Sequence, residues 1–470
     1  MNYSRYYVLI ISLLLVVPSL AQSFEYAGRL TSDSYLNFNN HTPFWLWANN
    51  LGQVPGDAPF IQSGELLLNG ACLFNEGKSV YAGARLFGKN KGQSFTATEL
   101  FGGFSIKKVF IQVGSYADSL IQNGLSSSNG NLLNSRNARP YPRITVGTND
   151  FIKTGIGNLK IFGRWEEGVL LDERIIDKPR IHHKNLFLRW GKTEKTTFTF
   201  GIDHYAFWGG ESEVSGKQPT SFSEYLRTIL ALKGGAGATS SDQENVAGNS
   251  LGQYFFIFRK NYSHITAEFR VVHPFEDKSG MVMFNGRDNL YSIYITQKEG
   301  FGLKHILGEF VYTKNQSGDD KRTPDGVYIH TNGHDNYLNH GFYHSGFTYF
   351  GKVMGSPLFY PVVFNDEGIS TGISNNRLMA FHVGLDGNIN AALQWKLLLT
   401  QSFNFGTYAK EFDPARKQFS GLAQMSFSPE GKHFFGSIKL GIDKGENLQN
   451  GRFKWNAGAA LELGWRFGNY

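Results

Sequence analysis

The stretch Phe453-Lys-Trp-Asn-Ala-Gly-Ala-Ala-Leu-Glu-Leu-Gly-Trp-Arg-Phe467, near the C-terminus, alternates between two kinds of side chain. Every second residue from Phe453 to Phe467 is apolar, whereas the residues between them are mostly polar or small. A period of two predicts a β-strand, because successive side chains of a strand point to opposite faces. Trp455 and Trp465 lie near the two ends of the apolar face. That face packs either on a second sheet, as in a soluble sandwich, or against lipid, with the tryptophans at the membrane interfaces.

The first 21 residues predict export from the cell. Arg5 precedes an apolar run that begins at Val8, and Ser19-Leu-Ala21 fits the small-residue cleavage rule of signal peptides. Later apolar runs reach only about five residues, whereas a spanning helix needs about 20. We therefore expect a signal peptide over residues 1–21 and a single exported domain over residues 22–470.

The composition favours many strands joined by tight turns. Glycine accounts for 55 of 470 residues, aromatic residues for 15% and charged residues for 18%, below the roughly 25% charged residues of ordinary soluble domains. The formal charge of +7 comes from scattered residues, which argues against a nucleic-acid partner and favours acidic glycans or lipopolysaccharide phosphates. Cys72 is the only cysteine, so an intrachain disulfide is excluded and we expect it to pack as a small hydrophobe.

Alternation of apolar and polar residues recurs along the chain. The segments that show it include 197–203, 265–271, 395–405 and 434–443. Longer polar stretches between such segments predict extracellular loops at Ser126–Arg136, Glu211–Gln218, Gly234–Asn249 and Asp319–Asn339. At roughly 22–28 residues for each strand and its connection, the mature chain holds about 16–20 strands of membrane-spanning length. The sequence therefore predicts an all-β fold, a single transmembrane antiparallel β-barrel, with lipid against the apolar face of the last strand.

Two segments are rich in histidine, a residue type that binds metal ions. The surrounding glycines and asparagines argue against the helix that would make an i, i+4 pair of histidines chelating, and on a strand four residues span about 13 Å, too far for one zinc ion. Adjacent histidines on a strand face opposite sides, so they cannot share an ion either. We therefore predict no metal site at His182, His183, His330, His334, His340 or His344.

No catalytic constellation stands out in the sequence. The Gly-rich segment Lys233–Ser241 lacks the Gly-Lys-Ser/Thr of a P-loop, and no Gly-x-Ser-x-Gly elbow occurs. The carboxylates of Glu166-Glu167 and Asp172-Glu173 have the chemistry needed for glycoside cleavage. We interpret them instead as a solvated, salt-bridged lumen face, and we predict neither a cofactor nor an enzymatic activity.

Seven segments spread over most of the mature chain together resemble the capsule assembly Wzi family of outer-membrane proteins. They are Thr42-Pro-Phe-Trp-Leu-Trp-Ala-Asn-Asn-Leu-Gly52, Gly163-Arg-Trp-Glu-Glu-Gly168, His182-His-Lys-Asn-Leu-Phe-Leu-Arg-Trp-Gly191, Phe200-Gly-Ile-Asp-His-Tyr-Ala-Phe-Trp-Gly-Gly210, His344-Ser-Gly-Phe-Thr-Tyr-Phe-Gly351, Met354-Gly-Ser-Pro357 and Ser374-Asn-Asn-Arg-Leu-Met-Ala-Phe-His382.

The resemblance implies a barrel of about eighteen strands in the outer membrane of a Gram-negative bacterium. It further implies a lectin for capsular or extracellular polysaccharide that helps attach or assemble the capsule at the cell surface, without catalysis. The best-known members carry an N-terminal periplasmic helical bundle. No convincing helix is predicted between residues 22 and 60 of this chain, where Thr42–Gly52 has the pattern of strand and turn.

Sugars bind to aromatic rings, which stack on their apolar faces, and to planar polar groups, and arginine pairs bidentately with uronate carboxylates. The alternatives are an interfacial girdle position for each aromatic residue and a lumen salt bridge for each arginine. The candidates near strand ends are Trp208, Glu211, Tyr225, Tyr337, Asn339 and Tyr343, and the lumen candidates in family-like segments are Arg164, Arg377 and His382.

Two other functions remain open at this point. A barrel could be a porin-type channel for sugars or small solutes, which conductance would reveal, or an outer-membrane enzyme such as a lipid hydrolase, which an activity assay would reveal. Bulky and charged residues such as Arg164-Trp-Glu-Glu167 favour a plugged lumen over an open one. The expected partners are therefore capsular or extracellular polysaccharide, outer-membrane lipids and lipopolysaccharide.

Overall fold

A computed structural model of the chain describes residues 21–90, 94–212, 216–233, 235, 248–318, 321–322, 325, 328–329, 335–446 and 455–469. The predicted signal peptide lies outside the described residues except for Ala21. His330, His334 and Phe453 lie outside them as well, together with most of Lys233–Ser241.

A single antiparallel sheet of 19 strands closes on itself. The two-residue strand Ile152–Lys153 continues β6 along the same partner, which leaves 18 strands around the barrel. Closure is made by β1 and β18, which pair from Ala27 opposite Gly468 to Asn37 opposite Gly458. The all-β barrel of about eighteen strands is thereby confirmed. The barrel strands are β1 Ser23–Asn37, β2 Phe60–Phe74, β3 Lys78–Lys89, β4 Ser94–Ile106, β5 Val109–Ser115, β6 Pro142–Thr148, β7 Lys160–Val169, β8 Arg180–Lys192, β9 Thr196–Trp208, β10 Asn249–Asn261, β11 Ile265–Phe275, β12 Asn289–Gln297, β13 Gly302–Tyr312, β14 Leu378–Asn388, β15 Leu393–Gly406, β16 Glu411–Phe427, β17 Phe434–Gly445 and β18 Trp455–Gly468.

The two faces of β18 differ as the sequence pattern predicts. Trp455 and Trp465 on the outer face are each 52% exposed, whereas Asn456 and Ala460 on the lumen face are buried. The same division holds in β17, where Ile438 points outward and Asp443 inward. An apolar outer face on a closed barrel is the surface that faces lipid in transmembrane β-barrels.

The two ends of the barrel carry different connections. One end, which we call the turn end, has tight turns such as the 3-10 turn Asn75–Gly77 between β2 and β3. The other, which we call the loop end, carries the connections 38–59, 116–141, 170–179, 209–248, 276–288 and 313–377. Transmembrane barrels have short periplasmic turns and longer extracellular loops, so we assign the loop end to the cell exterior.

The described parts of the connections contain three short helices and several two-stranded hairpins. The helices are α1 Phe44–Trp47, α2 Phe222–Ile229 and α3 Lys278–Met281, and the 3-10 turns are Phe38–Asn40, Asn75–Gly77 and Gln122–Gly124. The hairpins pair Glu211–Ser212 with Gly216–Lys217, Lys321–Arg322 with Tyr328–Ile329, Thr348–Tyr349 with Lys352–Val353, and Val362–Phe364 with Ser370–Ile373. Within the described ranges, no helix is both long enough and apolar enough to span a membrane.

The prediction of strand and turn over Thr42–Gly52 is wrong at α1. All four residues of α1 are buried, and α1 contacts β16 and β17. A helical turn directs consecutive side chains around its axis, so Phe44, Trp45 and Trp47 can each meet a different neighbour, which a strand with two faces does not allow.

The connection between β5 and β6, residues 116–141, folds into the lumen, and we call it the plug segment. Leu125, Leu132 and Leu133 of this segment belong to one buried apolar cluster together with α1. Ser126–Arg136 is thus a loop, as predicted, but it turns inward instead of outward. Ser126, Ser127 and Ser128 are buried there, and Ser126 Oγ donates to Glu309 of the barrel wall.

Side chains of the barrel wall hold the plug segment from the far side of the lumen. Glu309 on β13 accepts hydrogen bonds from Ser126 Oγ at 2.6 Å and from Ser127 N at 2.8 Å. On β10, Gln253 Nε2 donates to Asn131 Oδ1 at 2.6 Å. The segment leaves β5, contacts β13 and β10 and returns to β6, so it crosses the barrel interior.

A chain of hydrogen bonds ties α1, the wall and the plug segment together. Trp45 Nε1 donates to Thr400 Oγ1 at 3.1 Å, and the same hydroxyl lies 2.8 Å from His382 Nδ1. His382 Nε2 then donates to the carbonyl of Leu125 at 2.7 Å. The two inward elements therefore depend on the same wall residues.

Ion pairs occupy the polar face of the wall. Arg85 lies between Glu65 and Glu99, at 2.6 and 2.5 Å, and Glu99 also accepts from the backbone N of Ala117 at 2.6 Å. All three charged side chains are largely buried. The lumen face is therefore salt-bridged, and Glu166 is part of it, 3.2 Å from Arg143. The prediction that Glu167, Asp172 and Glu173 share this face is wrong, because Glu167 points outward and the other two lie in the connection after β7.

Candidate functional site

A cavity of about 940 Å³ opens at the loop end, and we call it the mouth cleft. Four connections contribute to it, those between β1 and β2, β5 and β6, β7 and β8, and β13 and β14. Its side chains combine aromatic rings with charges of both signs. The aromatic residues are Trp47, Tyr349, Phe350, Tyr360 and Phe364, the cationic ones Lys89, Arg139 and Lys352, and the acidic ones Asp57, Asp172, Glu173 and Asp443.

A tight hairpin projects Phe350 and Lys352 into the mouth cleft. Tyr349 pairs with Lys352, so Phe350 and Gly351 form a two-residue turn in which both φ angles are positive, 47° and 70°. Such turns match the twist of antiparallel strands, and glycine adopts the second position without strain. The backbone N of Phe350 donates to Asp172 Oδ2 at 3.1 Å, which fixes the turn against the connection after β7.

Two cations of the cleft lie against aromatic rings. The Arg139 guanidinium carbon is 3.5 Å from the centroid of Phe350, and Lys352 Nζ is 4.1 Å from the ring of Trp47. Phe350 is still 43% exposed, which leaves part of its ring open to a ligand. Trp47 is buried and held by Tyr360 at 5.3 Å, so it serves as the floor beneath Lys352.

Burial changes the acid–base behaviour of the cleft. The pKa of Lys352 is lowered to about 8, mainly because burial disfavours the ammonium form and secondly because Lys89 is near, while Asp57 opposes the shift. Burial likewise raises the pKa of Asp172, against the effect of Arg174. The cleft is thus a place where a cation can lose its charge within the range of mildly alkaline pH.

The arrangement can bind a molecule that offers ring faces, hydroxyls and anionic groups. Exposed aromatic rings such as Phe350 and Phe364 provide stacking surfaces, and Arg139 provides a planar donor for carboxylates. The cavity lies within the range of about 300–1,000 Å³ typical of small-molecule sites.

The nine residues predicted from the sequence do not form one site. Trp208 and Tyr225 do meet, with ring centroids 5.1 Å apart, but on the outer wall of the barrel beside α2. Glu211 is exposed in the short hairpin that follows β9, and its backbone pairs with that of Asp177. These three therefore share one region of the loop end, outside the mouth cleft.

Three further predicted residues support the connection between β13 and β14. Tyr337 is buried and donates to Asp288 Oδ2 at 2.9 Å. Asn339 exchanges two hydrogen bonds with the backbone of Ile373, and Tyr343 donates to the carbonyl of Gly209 at 3.1 Å. Their polar groups are used in holding the loops in place.

The remaining three predicted site residues lie apart from one another. Arg164 is on the lumen face of β7, 3.4 Å from Asp118, and Arg377 lies before β14 in an ion pair with Glu411 at 2.5 Å. His382 is buried beneath the plug segment, where both ring nitrogens have partners.

The histidine-rich segment is described only in its second half. His340 Nδ1 accepts from the backbone N atoms of Phe342 and Tyr343, each at 3.1 Å, which caps a turn. Burial, and secondly the neighbouring His344, lowers the pKa of His340 to about 4, so the ring is neutral at pH 7 and can act as this acceptor.

His182 and His183 do face opposite sides of β8. His183 points into the lumen, where its ring nitrogens lie 2.9 Å from Glu166 and 2.5 Å from Asp203. His182 points outward and lies 2.7 Å from Glu167. The carboxylates of Glu166 and Glu167 are therefore on different faces of β7, so they cannot act together as a catalytic pair.

The mouth cleft was not predicted from the sequence, although parts of it lie in family-like segments. Trp47 and Phe350 fall within Thr42–Gly52 and His344–Gly351, which carry the resemblance. Gly351, which follows Phe350, is a local turn signal that points to a hairpin at this position. By contrast, nothing local places Arg139 on Phe350, since they belong to different loops.

Comparison with solved structures relates the chain to outer-membrane barrels. Wzi of Escherichia coli, described as an outer-membrane protein involved in group 1 capsule assembly and a carbohydrate-binding β-barrel, is 14% identical, with a TM-score of 0.56 over 98% of this chain and 88% of Wzi. OccK5 (OpdH) of Pseudomonas aeruginosa is 8% identical, with a TM-score of 0.51 over 96% of this chain and 99% of OccK5. A BenF-like porin of Pseudomonas fluorescens Pf-5 is 10% identical, with a TM-score of 0.50 over 96% of this chain and 100% of the porin. No protein-family model and no curated protein sequence matches the chain. At such identities the likeness establishes the barrel fold alone.

Proposed function

We propose that this protein lies in the outer membrane of a Gram-negative bacterium, binds polysaccharide in the mouth cleft and so helps attach or assemble capsular or extracellular polysaccharide at the cell surface. The observation that carries the proposal is the mouth cleft itself, which lies above a lumen filled by the plug segment and α1. A filled lumen suits a surface receptor better than a passage. The likeness to Wzi, a carbohydrate-binding barrel, supports the same proposal.

The chemistry of the cleft favours an acidic glycan. Phe350 and Phe364 are about half exposed and can stack on sugar rings. Arg139 and Lys352 can pair with uronate or other anionic groups, and charge-assisted hydrogen bonds of this kind are about twice as strong as neutral ones. Glu173 and Asp57 are exposed acceptors for sugar hydroxyls.

Binding without catalysis fits the groups that line the cleft. The carboxylate of Asp172 is engaged by the backbone of Phe350 and by Arg174 at 3.2 Å, so it serves to hold the hairpin. Asp172 is thus not free to act as one of the two carboxyl groups that a glycosidase needs, and the exposed Asp57 and Glu173 belong to different connections. We therefore propose a lectin-like protein rather than an enzyme, exported by the signal peptide predicted over residues 1–21.

The distribution of polysaccharide between cells and medium, with and without the gene, tests the proposal in the organism. We expect deletion to leave total polysaccharide unchanged and to move it from the cell-bound to the shed fraction. An unchanged distribution would remove the anchoring role.

Direct binding to the purified full chain tests the site. Phe350→Ala and Arg139→Ala each remove a contact worth about 1 kcal/mol, so each should weaken binding of the organism's polysaccharide about fivefold. Phe95→Ala is the matched control, because Phe95 is an exposed phenylalanine near the loop end that does not line the cleft. Equal affinities for all three variants would place the glycan elsewhere.

A second candidate function is a channel for sugars or small solutes, which the likeness to a porin favours. Planar-bilayer recording of the wild-type barrel separates the two. A stable conductance in the unmodified protein would favour the channel, whereas a silent barrel that binds polysaccharide would favour the lectin.

A further inference from the structure

A groove of about 730 Å³ lies on the outer wall of the barrel near the loop end, and we call it the outer-wall groove. Its walls are mainly apolar, formed by side chains of β5, β6, β7 and α2 and by the end of β9. Val113 and Ile144 are each about half exposed and continue the apolar band that faces lipid. The side chains that carry the argument are Val113, Ile144, Val169, Trp208, Phe222 and Tyr225.

Helix α2 lies along the outer wall with its apolar side turned away from the protein. Phe222 is 73% exposed and Leu226, one turn later, is 38% exposed, whereas Thr228 and Ile229 at the end of the helix are buried. Ser221 caps the helix by accepting from Glu224 N at 3.3 Å. An amphipathic helix that exposes large apolar side chains beside a lipid-facing wall is an interfacial helix, stable when its outer side is in the lipid.

The inner side of α2 covers polar groups that point outward from the barrel. Tyr225 donates to Glu167, which also lies 2.7 Å from His182 Nδ1. Burial, followed by this contact with Glu167, raises the pKa of Tyr225 to about 12, so the hydroxyl keeps its proton and remains the donor. Glu167 and Tyr225 thus line the outer-wall groove as a pair that satisfies each other, whereas His182 Nε2 has no partner among the described residues.

Trp208 lines the groove and carries a donor that is unpaired within the described part of the chain. Its side chain is more than nine-tenths buried, and its indole Nε1 has no acceptor among the residues that the structure describes. The ring packs on Tyr225 and under the guanidinium of Arg180, whose carbon is 4.7 Å from the centroid. Buried donors are almost always paired, so this N–H points to an acceptor supplied by a ligand.

We propose that the outer-wall groove binds an acyl chain of lipopolysaccharide, with an ester or amide carbonyl oxygen of the lipid accepting from Trp208 Nε1. Arg180 and Lys178, both at the rim on the loop side, then lie where the phosphorylated sugar of the same lipid begins. Lys178 is paired with Asp177 at 2.8 Å, so Arg180 is the main phosphate contact. Lipopolysaccharide is the lipid of the outer leaflet, to which the loop end assigns the groove.

Native mass spectrometry of the delipidated full chain in detergent, titrated with hexa-acylated diphosphoryl lipid A, tests the proposal. Ile144→Trp fills the groove, and Ile438→Trp is the matched control, because Ile438 is an equally exposed isoleucine on the outer face of β17. We expect the first to lower lipid A occupancy at least tenfold and the second to leave it unchanged. Equal occupancy in the two variants would overturn the proposal.

A second variant addresses the indole. Trp208→Phe keeps the ring and deletes the donor, and we expect a threefold to tenfold loss of affinity for lipid A, about that of one hydrogen bond. Wild-type affinity in this variant would overturn the carbonyl contact. Phosphatidylglycerol is the comparison lipid, and binding as tight as that of lipid A would overturn the assignment to lipopolysaccharide.

The result is independent of the polysaccharide function. Polysaccharide binding at the mouth cleft should be the same in Ile144→Trp and in the wild type, so failure of either proposal leaves the other standing. Heat-modifiable migration of each variant on gels verifies that the barrel has formed.

Discussion

Replacing Glu309 by alanine should loosen the plug segment without unfolding the barrel. Glu309 is buried, and its carboxylate accepts from Ser126 Oγ at 2.6 Å and from Ser127 N at 2.8 Å. Hydrogen bonds to a charged group contribute about 1.5–3 kcal/mol each. The two bonds together therefore amount to about 3–6 kcal/mol of local stability.

Water entering the space left by the side chain will satisfy part of the lost bonding, so we take the lower end, about 3 kcal/mol. Since each 1.4 kcal/mol is a factor of ten, the plug segment should open about 100-fold more often. Opening of a local unit sets the rate at which its amides exchange with solvent. Hydrogen exchange of peptides covering residues 121–133 should accelerate by this factor, while exchange of the barrel strands stays slow.

Glu462→Ala is the matched control for this experiment. Glu462 also projects into the lumen, but it bonds to Lys439 on the neighbouring strand at 3.0 Å. Its removal should leave residues 121–133 protected. Equal protection of the segment in Glu309→Ala and Glu462→Ala, with both barrels folded, would refute the conclusion that Glu309 holds the plug segment.

Three further outcomes are expected. Binding of an acidic polysaccharide should weaken as the pH rises from 7 to 9, because Lys352, with a pKa of about 8, is cationic below that pH and neutral above it; Lys352→Gln should abolish this dependence in a titration of affinity against pH. Leu440→Arg should cost about 2–4 kcal/mol of unfolding free energy in lipid vesicles, because Leu440 is exposed on the lipid-facing side. Arg85→Ala should lower the free energy of unfolding by about 3–5 kcal/mol, because the buried carboxylates of Glu65 and Glu99 lose their partner.

Each of these has a control on the same protein. The control for Leu440→Arg is Lys439→Arg, at the neighbouring position on the lumen side, which should leave the unfolding free energy within about 0.5 kcal/mol of the wild type. The control for Arg85→Ala is Arg259→Ala, at an exposed position on β10, which should also leave the unfolding free energy nearly unchanged. A pH profile that persists in Lys352→Gln would assign the titration to another group of the cleft.

The barrel followed from the sequence because its determinants are local. The side-chain period of two in β17 and β18 separates a lipid face from a lumen face within each strand, and the membrane thickness sets how long such a pattern must be. The environment of residues such as Ile438 and Asp443 can therefore be predicted without knowing which residues they contact. The division observed at these positions is the one that the alternation predicts.

The contents of the lumen did not follow from the sequence. Ser126–Arg136 has the serine, asparagine and glycine composition of an exposed loop, and its composition is the same whether water or Glu309 satisfies its polar groups. Phe44–Trp47 is equally ambiguous, because a run of four apolar residues suits a buried helix turn as well as a strand. In both cases the deciding partners lie on strands distant in the sequence.

The candidate site divides in the same way. Aromatic and arginine side chains are the chemistry expected for glycan binding. The hydroxyls of Tyr337 and Tyr343, however, donate hydrogen bonds that hold loops in place. Arg139 instead contacts Phe350, which belongs to a different connection. A strand's two faces are set by the geometry of neighbouring residues, so the sequence alone determined the barrel wall. A cleft made of four loops exists only once the first and last strands have closed the barrel and brought those loops together, so tertiary structure alone decided the site.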